Sequence, residues 1–171
     1  MTVQTLTGER ADLLESLGKA RFFLKFTAQH LTDEQAAAHP TVSALSIGGV
    51  IKHVSETEQQ WARFITEGPV AVAPPADEAG FETWANGFTM LPGETLASII
   101  QRYDEIAART DELVRTWDLD AAHELPPAPW FQPGAKWSAR RVITHIVAET
   151  AQHAGHADIL RESVDGQKSM G

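Results

Sequence analysis

The sequence predicts an all-α protein, a four-helix bundle with long crossover connections. Four stretches, at about 8–31, 46–66, 94–117 and 138–162, repeat apolar residues at helical spacing. Two of the connections between them are rich in proline and glycine, and no stretch shows the alternation of a half-buried strand. Long helices joined by long connections describe a bundle with crossovers.

In the first helix Leu13, Leu14, Leu17, Phe22, Leu24 and Phe26 recur on one side, and Gly18 weakens the helix without breaking it. Thr32-Asp33-Glu34-Gln35 starts a separate short turn, and Pro40 opens a loop. Ser46 caps the second helix, whose apolar side is Ile47, Val50, Ile51, Val54, Trp61, Phe64 and Ile65. Gly48-Gly49 in its first turn leaves room for a second backbone or a ligand, or marks a loose start.

From Gly68 to Gly93 the chain is too rich in breakers for a long element, so a crossover with a short helix near Phe81–Asn86 is expected, anchored by Phe81, Trp84, Phe88 and Met90. The third helix buries Leu96, Ile99, Ile100, Tyr103, Ile106 and Val114. A second aromatic and proline-rich connection, with Trp130, Phe131 and Trp137, leads to Ser138, the cap of the fourth helix. Beyond Arg161 the chain turns polar through Asp165 and Gly166, and its last residues are expected to fray.

The chain has 171 residues, of which 43% are hydrophobic and 22% charged, which suits one domain over 1–171 with a sizeable core. A net charge of −9 without a basic cluster disfavours nucleic acid and anionic membranes as partners. No apolar run reaches spanning length, and Met1 to Glu9 lacks a basic start and an apolar centre, so the expected compartment is the cytoplasm. With no cysteine, any thiol chemistry must use sulfur from a cosubstrate.

The fourth helix is unlike a plain core helix. At about 100° per residue, His145, Glu149, His153 and His156 fall within an arc of about 80°. Glu149 and His153, four apart, can grip one metal ion together, although the same spacing also occurs on solvated faces. Imidazole nitrogen with carboxylate oxygen suits zinc or a similar dication, and a third ligand would leave a position open. Bundles build such sites from facing helices, which brings His53 of the second helix opposite Glu149 and His153. Taken alone, His53 reads more readily as a satisfied core histidine than as a ligand.

In these residues the chain resembles the DinB-like metal-dependent four-helix proteins, which include bacillithiol and mycothiol S-transferases and the mycothiol-dependent maleylpyruvate isomerase. The resemblance covers most of the chain and rests on Gly48-Gly49-Val50-Ile51-Lys52-His53, on Trp137 through His145, and on Glu149 through Arg161. Much of that family has two histidines four apart as its last two ligands. Here the first is Glu149, as in the actinobacterial branch. The resemblance implies His53, Glu149 and His153 as ligands of a divalent metal, zinc foremost, and mycothiol as the thiol joined to an electrophile. It leaves two alternatives: a mycothiol-dependent isomerase, or a non-catalytic metal or small-molecule binding protein.

His145 and His156 are expected either to orient a ligand or to accept a proton near the cosubstrate, with a core role the alternative for His145. Trp61, Trp130 and Trp137 are candidate pocket walls. Arg161 and Arg63 are candidates for polar groups of the thiol, or else partners in ordinary salt bridges. The molecule is expected to be a monomer or a homodimer.

Overall fold

The structure is a computed structural model that describes residues 6–75 and 77–169. The sequence-based expectations for the first five residues and for Met170 and Gly171 fall outside the described residues. Among the described residues six α-helices form: α1 (Glu9–Phe26), α2 (Asp33–Ala37), α3 (Ile47–Glu67), α4 (Glu78–Ala85), α5 (Leu96–Thr116) and α6 (Ala139–Asp165). The four long ones, α1, α3, α5 and α6, make the bundle. α1 packs along α6, α3 along both α5 and α6, and α1 also meets α5. Among the described residues no helix is long and apolar enough to cross a membrane.

The starts of the helices follow from their caps. Ser46 Oγ accepts from Gly49 N, and Ser138 Oγ accepts from Arg141 N. Thr95 and Ser98 form a reciprocal capping box at α5. Each such cap is worth about 1 kcal/mol. α1 stops at Phe26, earlier than the apolar pattern suggests. The Thr27 hydroxyl donates to Leu24 O, the next amides bond three residues back, and His30 takes a left-handed φ of 64°.

Two expectations need correction. Residues 118–138 contain a small antiparallel pair, β1 (Ala122–Glu124) with β2 (Lys136–Ser138), in which His123 faces Trp137. Three residues are too few for alternation to be read, and the pairing is fixed by the start of α6. Ala139 N donates to Ala121 O and Arg140 N to Leu119 O, so the turn preceding β1 satisfies the first amides of α6. The fourth helix also runs slightly further than the expected end near 162. α6 runs to Asp165, Gly166 closes it at φ 80°, Gln167 accepts from Arg161, and Ser169 N donates to Asp158 Oδ1 at 2.8 Å.

The core has two halves. One gathers Leu24, Val50, Ile51, Val54, Tyr103, Ala157 and Leu160; the other gathers Leu17, Phe64, Val114, Val142, Ile143 and Ile146. Along α3 the change comes between Val54 and Phe64, and along α6 between Ile146 and Ala154. The buried polar residues Ser55, Glu58 and Thr150 lie in that interval, joined by Arg21 of α1. The bundle thus has a polar waist, and the histidine and glutamate stripe of α6 belongs to it.

Candidate functional site

Glu149 stands between two imidazoles of its own helix. His145 Nε2 lies 3.7 Å from Glu149 Oε1, and His153 Nε2 lies 3.8 Å from Glu149 Oε2. This follows from the four-residue spacing, which stacks the three side chains on successive turns. Beyond His153, the Nδ1 atoms of His153 and His156 are 3.4 Å apart. A His153 protonated on Nδ1 donates to His156 and keeps its Nε2 lone pair on the Glu149 side.

The neighbouring helix supplies His53. Its ring meets that of His153 edge-on, with centroids 5.0 Å apart, and Thr57 Oγ1 lies 3.5 Å from its Nε2. The structure therefore brings His53, Glu149 and His153 to one face shared by α3 and α6. Phe88, in the 3-10 turn after α4, stacks on His53 at 3.7 Å and 18°.

The two glycines at the start of α3 explain that stack. A Cβ on Gly49 would stand 1.9 Å from Phe88 O, and one on Gly48 would stand 2.1 Å from Met90 Sδ. Of the two readings of this pair, close approach of another backbone is the one found.

A wall of aromatic rings borders the other end of the stripe. Trp61 of α3 and Trp137 of β2 stack at 5.0 Å, and His145 meets both edge-on at 4.8 and 5.0 Å. The Arg141 guanidinium lies 4.2 Å over the Trp137 ring. Trp130 is 75% exposed and reaches this wall only through Phe131. Arg161 is 3% exposed, and its guanidinium donates to Thr27 O, Gln29 O and Asp165, so it ties α6 to the end of α1. Arg63 pairs with Glu67 one turn on.

Burial favours the neutral form of His53, His145 and His153. It pulls His53 down to about 4, and positive charge on His153 acts the same way. Burial lowers His145 as well; Glu149 opposes the shift and Arg141 adds to it. His153 is lowered by burial and then by His156. At neutral pH these rings therefore present lone pairs, which is what a metal or a proton acceptor requires.

The donor set of two neutral imidazoles and a carboxylate matches the preferences of zinc and similar dications. Two donors on one tetrahedral zinc stand about 3.3 Å apart, so the 3.8 Å between Glu149 and His153 is only slightly wide. Among the described residues, however, no three His, Asp or Glu side chains are already gathered as a metal-holding group. The chemistry of the three residues fits a divalent cation, with the donors approaching in pairs.

Phe88, Thr57 and Arg141 are neighbours of this face that the sequence did not single out as site residues. Phe88 is visible in the sequence only as an apolar anchor of the crossover. Its partner on α3 is 35 residues away, and the only signal of their meeting is Gly48-Gly49.

A family model described as mycothiol-S-transferase matches residues 12–166 of the chain. No curated protein matches it.

Proposed function

Because the chain belongs to the mycothiol-S-transferase family, we propose that it joins a low-molecular-weight thiol, mycothiol, to an electrophile, with a divalent cation, zinc foremost, held by His53, Glu149 and His153. The observation that supports this reading is His153, which meets His53 of the facing helix edge-on at 5.0 Å and lies 3.8 Å from Glu149, in a chain that has no cysteine. A divalent cation with an open position supplies one thing when bound, a lowered pKa for a coordinated thiol.

The rest falls to the chain. His156 holds the proton of His153 on Nδ1, away from Glu149. His145 Nε2 accepts the thiol proton, and Glu149 Oε1 stabilises the imidazolium that results. The stacked Trp61 and Trp137 cover part of that imidazole and give the electrophile a flat apolar wall. The sulfur then forms the new bond to carbon: a saturated electrophile expels its leaving group with the bonding pair, and an unsaturated one keeps the pair on the neighbouring atom, which takes the proton back from His145.

The test begins with elemental analysis of protein purified without a histidine tag, beside Glu149→Ala and His53→Ala. About one zinc per chain, lost in both variants with helicity retained, is expected, together with conjugation of mycothiol across a panel of electrophiles. No metal after reconstitution would remove the cation from this reading. Metal without conjugation, but with cis–trans isomerisation of a thiol-reactive substrate, would replace transfer by isomerisation. Metal with neither activity would leave a binding protein.

A further inference from the structure

The crossover between α3 and α5 is fastened to α3 where His53 lies. Phe88 O occupies the place a Gly49 side chain would take, and Met90 the place of a Gly48 side chain. Lys52 Nζ, on the same turn as His53, donates to Thr89 O at 3.1 Å and pairs with Glu94 at 2.9 Å. Buried Gly87 sits against Glu56, where a Cβ would stand 3.0 Å from Oε2. Residues 87–90 are thus set down along the first three turns of α3 and have little freedom to shift.

The consequence falls on His53. The torsion that turns an imidazole about its own bond is soft and roughly two-fold, so an unsupported histidine samples many ring planes. Phe88 lies face to face with His53 at 3.7 Å and 18°, and 6.3 Å from His153. Face-to-face contact at that distance leaves one plane open to the imidazole. In that plane it meets the His153 ring at 69°.

We propose that Phe88 is a positioning residue, whose ring fixes the plane of His53 so that the His53 and His153 nitrogens can serve one divalent cation, and that Gly48-Gly49 is what admits the crossover to that place. The inference rests on the cation reading and adds to it a residue that donates nothing itself.

The experiment compares the wild-type chain with Phe88→Ala, Phe88→Leu, Phe88→Tyr and Gly49→Ala. Zinc affinity is measured by competition with a chromophoric chelator. The ring-proton shifts of His53, assigned with His53→Ala, are read in the metal-free protein. The expected result is an upfield ring-current shift of His53 in wild type and Phe88→Tyr, absent in Phe88→Ala and Phe88→Leu. Zinc affinity should fall about tenfold in the Ala and Leu variants and recover in the Tyr variant, on the scale of other residues that orient a ligand.

Leucine decides between positioning and filling, since it occupies the space without imposing a plane. Wild-type affinity in Phe88→Leu, with the ring-current shift lost, would overturn the proposal while leaving the cation site intact. A wild-type chain that shows the shift yet takes no zinc would overturn the cation reading, and the positioning role with it. Gly49→Ala should weaken zinc as Phe88→Ala does. If it does not fold, the three Phe88 variants carry the test alone.

Discussion

Arg21 of α1 and Glu58 of α3 face each other inside the bundle, Nη2 to Oε1 at 2.5 Å, with side chains only 7% and 0% exposed. Arg21 also donates to Asp111 of α5 at 2.7 Å, so one guanidinium ties three helices at the polar waist. The two core halves meet at this layer. It fixes the level of α3 against its neighbours, on the same helix that presents His53.

Removing one partner of this pair strands a buried charge. Glu58→Leu is expected to destabilise the fold by about 3–5 kcal/mol, whereas Arg21→Met with Glu58→Leu should recover much of that loss. Urea unfolding of the two single variants and the double variant measures it. A double variant as unstable as the sum of the singles would show that the pair is not coupled.

The glycines of the helices should respond in opposite directions. Gly18 in α1 and Gly155 in α6 have nothing within 4 Å of a built Cβ, so alanine at either is expected to stabilise by about 0.5–1 kcal/mol. Gly49→Ala drives a methyl into Phe88 O, a backbone atom that cannot simply rotate away, and is expected to destabilise by about 1–3 kcal/mol. Thermal unfolding of the three variants checks the contrast; a Gly49→Ala protein that melts no lower than wild type would contradict the docking of the crossover.

The four long helices and the serine caps of two of them were legible because each rests on local information. Ser46 and Ser138 precede apolar repeats at helical spacing, and the observed starts lie within two residues of the expected ones, whereas Thr95 emerged as a cap only in the structure. The α6 stripe was legible for the same reason, since four residues on one helix share a face by geometry alone. What escaped depends on partners distant in the chain. The β1–β2 pair requires residues 14 apart to meet across prolines. The Phe88–His53 stack requires the whole crossover to settle on α3. Arg161 was open to a role toward ligand because nothing near it in sequence reveals Thr27 O and Gln29 O as its acceptors.

That role for Arg161 can be separated from a ligand-binding one. Its Nη1 donates to both carbonyls at 2.8 Å, and its Nε to Asp165 Oδ1 at 2.9 Å, a fork that lysine cannot reproduce. Both Arg161→Ala and Arg161→Lys are expected to lose about 1–3 kcal/mol, because the carbonyls ending α1 are left without a donor. The midpoint of chemical unfolding measures this. A lysine variant with wild-type stability but weakened binding of the thiol would favour the ligand role.

The last expectation concerns pH and follows from burial of the imidazoles. An exposed histidine has its ordinary value of 6.5, and in the folded chain His53 is pulled down to about 4. Between those values the unfolded chain binds the proton and the folded chain does not. Stability therefore rises with pH across the window, is fully present above 6.5, and is lost as pH falls toward 4. His145 and His153, also lowered by burial, act in the same direction. Water still reaches these rings, so His53 is expected to contribute only about 1–2 kcal/mol across the window. Urea midpoints of metal-free protein at about pH 7, 6 and 5 should fall steadily, and less steeply in His53→Asn, whose amide takes up no proton there. An unchanged slope in that variant would mean that His53 is as accessible to protons in the folded chain as in the unfolded one. A dication on the same lone pairs competes with the proton, so zinc should raise the midpoint most at about pH 7 and progressively less as the pH falls.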